Sequence, residues 1–194
     1  MLFDSPAPKA IEAALGAHKG TAMINSISLE KQRFEPLIKL VAGTDHKVIA
    51  LCISDEGMPR TVEERMSIAD KLINGLVQRG VKIENIYVDP LLQALATDGG
   101  FGAVFLDALE RLKRNFNGIH VACGLSNISF GLPNREFMNH VFMIMAMTKG
   151  LDAAIANPLD KQVMAGIITA EALAGRDPFC LKYLKAYRNK KLEW

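Results

Sequence analysis

Four polar side chains in this 194-residue chain follow apolar segments and have the chemistry needed to bind a flat, nitrogen-rich ring. They are Asp4, Asn25, Asp89 and Asn127. A carboxylate accepts hydrogen bonds, whereas a carboxamide both donates and accepts them. Two adjacent N–H groups on a ring can bind one carboxylate in a two-point contact. The set therefore suits a neutral heterocycle with many N–H donors, such as the edge of a pterin or a purine.

The segment 124–135 carries the densest group of polar side chains. It joins an apolar run at 119–123 to a helix pattern that begins at Glu136. Ser126, Asn127, Asn134 and Arg135 can all hydrogen-bond, while Gly and Pro already supply the turn. In parallel α/β proteins, ligands bind where strand carboxyl ends and helix amino ends converge. This segment is therefore a candidate binding loop.

Each of these residues also has a structural alternative. Asp4 could cap the helix that follows it, and the polar residues at 25–26 and 89–90 could belong to plain turns. Arg135 could pair with a nearby carboxylate such as Glu136 or Asp160. Their occurrence at successive strand ends favours ligand binding over four independent turns.

The sequence lacks the residue patterns that several other kinds of catalysis require. There is no His–Ser or His–Cys pairing of the kind that acyl transfer uses. The four histidines are scattered and lack metal-ligand spacing, so we expect no metal site. No strand is followed by G-x-G-x-x-G, which excludes the Rossmann phosphate loop.

Composition limits the partners. The net charge is +2, which suggests neither nucleic acid nor a membrane as partner. The longest apolar run, 141–147, is far short of the ~20 residues that span a bilayer. The three cysteines are odd in number and far apart, and the first residues lack the pattern of a signal peptide. We therefore expect a reduced, cytoplasmic protein.

Short apolar strands alternate with helix patterns throughout the chain. Most of the strands are apolar on both faces, which is typical of parallel strands covered by helices. Thr61 is followed three residues later by Glu64, and this capping box predicts a helix start. We predict strands at 1–4, 22–25, 47–53, 86–89, 119–124 and 152–156. We predict helices at 8–18, 30–42, 61–80, 102–115, 136–148, 160–167 and 178–192.

This alternation predicts parallel strands with right-handed crossovers in one domain, 1–194. Both an open doubly wound sheet and a (β/α)₈ barrel fit the pattern. A ring of polar strand ends around one mouth is the active-site plan of a barrel. A barrel, however, needs eight strands and typically ~250 residues, and the sequence predicts six strands.

Five motifs of the chain resemble those of the pterin-binding methyltransferases. This family includes the methyltetrahydrofolate:corrinoid protein methyltransferases and the folate domain of cobalamin-dependent methionine synthase, and dihydropteroate synthase is more distantly similar. The motifs run the length of the chain in the family's order. They are Asp-Ser-Pro at 4–6, Ala-Met-Ile-Asn-Ser at 22–26, Val-Asp-Pro-Leu at 88–91, the loop 124–133, and Gly-Leu-Asp-Ala-Ala-Ile at 150–155.

The resemblance implies a site and a reaction. A pterin-binding barrel would move the N5-methyl group between methyltetrahydrofolate and the cobalt of a separate corrinoid protein. Asp4, Asn25 and Asp89 match the pterin-contacting residues of the family, and Asn127 matches its mobile Asn near N5. Arg135 matches the Arg of the same loop, and we include Ser126 among the pterin contacts. We also expect a homodimer.

The resemblance also implies an incomplete barrel. The family's (β/α)₈ barrel starts with two further βα units, and the strand at 1–4 already corresponds to its third strand. We therefore expect an α/β barrel of six parallel strands that lacks the first two βα units, through truncation or because another chain supplies them. Two alternatives stay open: a dihydropteroate synthase-like enzyme, for which no matching basic motif follows a strand, and a pterin-binding fragment or subunit that is inactive without a partner chain.

Overall fold

Six parallel strands form one sheet in the computed structural model, which describes residues 1–192. The strand order is β1-β2-β3-β4-β5-β6, so each strand lies beside its neighbour in the chain. All five strand pairs are parallel, which confirms the predicted crossovers. The strands are β1 (Leu2–Asp4), β2 (Met23–Ile27), β3 (Lys47–Leu51), β4 (Ile86–Asp89), β5 (His120–Gly124) and β6 (Ala153–Ile155).

Helices make the crossovers between the strands. The seven α-helices of the described residues are α1 (Pro8–Ala17), α2 (Lys31–Val41), α3 (Val62–Gln78), α4 (Phe101–Asn115), α5 (Arg135–Thr148), α6 (Lys161–Leu173) and α7 (Leu181–Arg188). Short 3₁₀ turns occur at Ile83–Asn85, Leu125–Asn127 and Pro178–Cys180. The predicted capping box is present at the start of α3, where Thr61 and Glu64 each accept from the other's backbone N–H.

The last two helices differ from the prediction. Helix α6 continues past Ile167 to Leu173, and Gly175, with φ of +71°, provides the left-handed residue that follows its end. The predicted single helix at 178–192 is instead a 3₁₀ turn followed by α7, which ends at Arg188. Phe179 and Cys180 have φ of +55° and +54°, and a right-handed helix cannot pass through them.

The hydrophobic core lies between the helices and the outer face of the sheet. Alternate strand residues point outward into it, because side chains along a strand alternate between the two faces. Val48, Ala50, Val88 and Val121 are all fully buried there. The other set of residues, which includes Asn25 and Asp89, faces the concave side. The concave face is therefore only partly covered and remains available for a ligand.

The sheet curls, but it does not close. Asp4 on β1, Asp89 on β4 and Ile155 on β6 line one cavity, so the carboxyl ends of the outermost strands bend towards each other. Within residues 1–192, β1 pairs only with β2 and β6 pairs only with β5. The expected barrel-type architecture with six parallel strands is thus confirmed as a curled half-barrel. No helix in the described part of the chain is long and apolar enough to cross a membrane.

Candidate active site

A cavity of about 550 Å³ lies at the carboxyl ends of the strands. It collects polar side chains from four strand ends that are far apart in the sequence: Asp4, Asn25, Asp89 and Asn127. Its apolar wall includes Leu51 and Ile155. The structure therefore brings together the four residues that the sequence singled out.

Three of these four side chains are available to a ligand. The side chains of Asp4, Asn25 and Asn127 form no hydrogen bond with any residue that the structure describes. Asp4 and Asn25 are register partners on β1 and β2, so their side chains leave the sheet at the same level. The alternative of a helix cap does not apply to Asp4, because α1 starts after Ala7 without a side-chain cap.

Asp89 is held more firmly than the other three. Its Oδ1 accepts a hydrogen bond from the backbone N–H of Leu91 at 2.8 Å. Burial raises the pKa of Asp89 to about 7, against the opposing effects of the N–H groups of Leu91 and Gly124 and of the Arg65 charge. The carboxyl group is therefore poised between its two protonation states near neutral pH. A ligand that donates two N–H bonds to it would favour the ionised form.

Asn127 ends a 3₁₀ turn directly after β5 and is exposed at the mouth of the cavity. Gly124, the last residue of β5, makes room for its carboxamide. A Cβ atom at Gly124 would lie 3.2 Å from Nδ2 of Asn127, which is closer than such atoms normally approach. The absence of a side chain at Gly124 thus permits the observed position of the Asn127 amide.

Ser126 and Arg135 do not line the cavity in this structure. Arg135 donates from Nη2 to the carbonyl of Ser126 at 2.8 Å and from Nε to Oγ of Ser129 at 3.1 Å. Its guanidinium also lies 5.7 Å from the ring centre of Phe130. Arg135 therefore braces the turn that carries Asn127 instead of pairing with a carboxylate. Contact between the ligand and either Ser126 or Arg135 stays a prediction.

Sequence reasoning missed Arg33 and Glu30, which also line the cavity. Arg33 donates from Nη1 to the carbonyl of Pro6 at 2.7 Å and from Nε to the carbonyl of Ser26 at 3.2 Å. It therefore ties the loop after β1 to the end of β2. Its place in the first turn of α2 was the only signal in the sequence, and basic residues there are common.

A second cavity of about 520 Å³ lies between α4 and α5. Its lining is almost entirely apolar and includes Leu106, Phe137, Met138 and Val141. It holds none of the four polar strand-end residues, so the candidate chemistry belongs to the first cavity. Among residues 1–192, no three His, Cys, Asp or Glu side chains are placed to hold a metal ion.

A curled sheet of parallel strands with polar groups at its carboxyl edge is typical of barrel-type α/β proteins, which bind their ligands at the strand ends. The family of pterin binding enzymes matches residues 1–157, and the chain belongs to that family. The predicted relationship to pterin-binding proteins is thus confirmed.

The chain is similar in sequence to proteins named as a methyltransferase and as a methionine synthase. The chain is 32% identical over 194 residues to a methylcorrinoid:tetrahydrofolate methyltransferase of Eubacterium limosum, and it covers 72% of that protein. It is 34% identical over 169 residues to the methionine synthase of Mycobacterium leprae, of which it covers only 14%. The chain therefore spans a small part of the second relative.

Solved structures support the fold. A dihydropteroate synthase of Burkholderia cenocepacia, complexed with 7,8-dihydropteroate, superposes with a TM-score of 0.70 at 18% identity. That match covers 90% of this chain and 68% of the synthase. The dihydropteroate synthase of Coxiella burnetii, in complex with pteroic acid, gives 0.69 at 14% identity, over 89% of this chain and 66% of that one. At such identities the likeness concerns the fold alone.

Proposed function

We propose that this chain binds methyltetrahydrofolate through its pterin ring and moves the N5-methyl group between that folate and the cobalt of a corrinoid protein. One observation carries the proposal: Asp4, Asn25, Asp89 and Asn127 meet in one cavity, in a member of the pterin binding enzyme family. The names of the relatives from Eubacterium limosum and Mycobacterium leprae support methyl transfer as the reaction.

The cavity wall supplies partners for the edge of a pterin. Asp89 accepts the ring's adjacent N–H groups as an ionised carboxylate, and the amide of Asn25 both donates and accepts. Asp4 adds a second acceptor beside Asn25, since the two are register partners. Leu51 and Ile155 provide apolar surface for the ring.

Asn127 serves the methyl transfer itself. A tertiary amine is a poor leaving group, because displacement of the methyl group leaves negative charge on N5. A hydrogen-bond donor at N5 stabilises that charge more in the transition state than in the ground state. The carboxamide of Asn127 is a donor with no competing partner among the described residues. It cannot act as a general acid near neutral pH, so a proton for N5 comes from water or is already on the pterin.

The corrinoid cobalt, carried by the partner protein, supplies the group that accepts or returns the methyl. The chain's own task is to bind the folate, orient N5 and stabilise its charge. The mouth of the cavity contains Asp4 and Asn127, both exposed, so N5 can face a partner that docks on this edge of the sheet.

Binding and transfer can be measured separately. Titration calorimetry of methyltetrahydrofolate with the wild type is expected to give saturable binding. Asp89→Asn is expected to bind at least about tenfold more weakly, since a neutral amide cannot replace the charge-assisted two-point contact. Asp70→Asn makes the same change on α3, outside the cavity, and should bind like the wild type.

Single-turnover transfer to free reduced cobalamin, followed by absorbance, tests the reaction. The proposal is supported if the wild type transfers the methyl group and Asp89→Asn transfers it more slowly. Saturable pterin binding without transfer would favour the alternative of a pterin-binding subunit that needs a partner chain. Unchanged affinity in Asp89→Asn would contradict the assignment of the site.

A further inference from the structure

Arg65, near the start of α3, is fully buried although it carries a positive charge. Its guanidinium forms no ion pair with any carboxylate of the described residues. Every acceptor that it reaches is neutral. Nε donates to the carbonyl of Pro90 at 2.8 Å, Nη1 to the carbonyl of Thr61 at 3.1 Å, and Nη2 to the carbonyl of Leu91 at 3.3 Å and to Oε1 of Gln93 at 2.7 Å.

Three of these four acceptors belong to the turn 90–93, which follows Asp89 directly. Within this turn Leu91 has φ of +65°, in the left-handed region that a leucine rarely enters. Such a conformation is strained and persists only where its surroundings hold it. The contacts from Arg65 to the carbonyls of Pro90 and Leu91 provide that hold on both sides of the strained residue.

The strained residue is also the one that contacts the site. The N–H of Leu91 donates to Oδ1 of Asp89 at 2.8 Å. A continuous chain of hydrogen bonds therefore runs from the buried guanidinium, through the turn, to the carboxyl group that lines the cavity. Each link is between 2.7 and 3.3 Å long.

We propose that Arg65 is a positioning residue of the site: it fixes the turn 90–93 so that the Asp89 carboxylate presents its oxygens to the ligand in one orientation. This inference rests on the proposed function, in which Asp89 accepts the N–H groups of a pterin. Arg suits the task because its planar guanidinium offers five donors in a rigid arrangement, whereas Lys offers one ammonium on a flexible chain.

The charge of Arg65 acts on Asp89 in addition to the hydrogen bonds. The groups that face this carboxyl are the N–H groups of Leu91 and Gly124, the thiols of Cys52 and Cys123, and the Arg65 guanidinium. Burial raises the pKa of Asp89, and the Arg65 charge lowers it. Loss of the cation and of the ordered turn would thus both raise that pKa further, and the ionised form would be reached only at higher pH.

The test compares Arg65→Met and Arg65→Lys with the wild type. The affinity for methyltetrahydrofolate is measured by calorimetry from pH 5.5 to 8.5, and the Asp89 carboxyl is titrated by ¹³C NMR in the free protein. Arg65→Met is expected to weaken binding at pH 7 at least tenfold. It should also move to higher pH both the midpoint of the affinity profile and the midpoint of the Asp89 titration by NMR. Arg65→Lys keeps the charge, so its NMR midpoint should stay closer to that of the wild type while its affinity falls. Arg111→Met, which breaks only surface ion pairs, should change neither quantity.

The outcomes are separable. A folded Arg65→Met variant with wild-type affinity and midpoints overturns the inference. If that variant does not fold, Arg65→Lys decides, because it keeps the charge but loses the rigid set of donors. Wild-type affinity in a folded Arg65→Lys variant overturns the inference. Absence of pterin binding by the wild type contradicts the proposed function instead, while the titration of free Asp89 still reports on Arg65.

Discussion

Asp89 combines a cost to folding stability with the binding role that we propose for it. Its ordinary pKa is 3.8, and burial in the folded protein raises the pKa to about 7. Below pH 4 the Asp89 carboxyl is protonated in both the folded and the unfolded state. Between pH 4 and 7 the unfolded chain ionises and the folded one does not, so this group's contribution to stability falls as pH rises. Above pH 7 both states are ionised and the contribution stays constant.

Asp89→Asn should therefore gain stability over the wild type as the pH rises. The difference between their free energies of unfolding is expected to increase by about 3 kcal/mol between pH 5 and pH 8. Urea unfolding at a series of pH values measures it. Asp70→Asn, an exposed change on α3, is the matched control. A flat difference for Asp89→Asn would show that its carboxyl titrates normally.

In the proposed function, Asn127 is the residue on which the methyl-transfer step depends. Removing one preorganised donor at a developing charge typically costs about 3–4 kcal/mol. Asn127→Ala is thus expected to slow methyl transfer by about two to three powers of ten, with weaker pterin binding as well. Single-turnover absorbance measures the rate, and Asn74→Ala on the outer surface of α3 is the matched control. A wild-type rate in Asn127→Ala would remove this residue from the mechanism.

At the scale of elements, the strand ends are held by arginines from the helices. Arg33 in α2, Arg65 in α3 and Arg135 in α5 each donate to main-chain carbonyls of a loop that borders the cavity. Such bonds satisfy main-chain carbonyls and fix the loops on rigid elements. The first two were not predicted, because an arginine in a helix pattern gives no sign of which distant carbonyl it will reach.

The turn after β5 allows a test of loop geometry without a change of polarity. In Gly124→Ala the added Cβ meets the Asn127 amide, since the two would be 3.2 Å apart. The backbone at Gly124, with φ of −80°, accepts an alanine. We expect slower methyl transfer with little change in the free energy of unfolding.

The matched control for this variant is Gly16→Ala in α1. A Cβ at Gly16 meets no atom within 4 Å. This change should leave transfer unchanged and stabilise the helix by up to about 1 kcal/mol. Equal transfer rates for the two variants would contradict the role of Gly124.

At the scale of the whole molecule, the half-barrel has an uneven distribution of stability. Strands β3 and β4 are paired on both sides, whereas β1 and β6 are three residues long and paired on one side within the described chain. Leu2 and Ile155 are 38% and 44% exposed at these edges. Edge segments with few buried contacts open locally more often than central strands.

Hydrogen exchange should display this gradient. Amides of β1 and β6 are expected to exchange at least about tenfold faster than those of β3 and β4. Methyltetrahydrofolate should slow exchange in β1, because Asp4 contributes to the same cavity as Asp89. Exchange in α7, which does not line that cavity, should not respond to the ligand. Equal protection of β1 and β4 in the free protein would contradict this description.

Local sequence patterns were enough to predict the six strands, most helix bounds and the four polar strand ends. These follow from local patterns: apolar runs, the Thr61–Glu64 capping box, and polar residues at the ends of successive strands. The break at Phe179–Cys180 was misjudged, because left-handed residues other than glycine leave no local signal. The end of α6 was predicted too early, although Gly175 marks it in the sequence.

How these parts meet depends on the packing of the folded chain. The curl of the sheet brings Asp4 and Asn127 into one cavity although 123 positions separate them in the numbering of the chain. The folded structure also shows that Arg135 donates to the carbonyl of Ser126 in the loop after β5, and that the buried Arg65 donates to the turn after Asp89. Burial is a property of the packed molecule, and the raised pKa of Asp89 arises from burial, so no local pattern of residues could have revealed it.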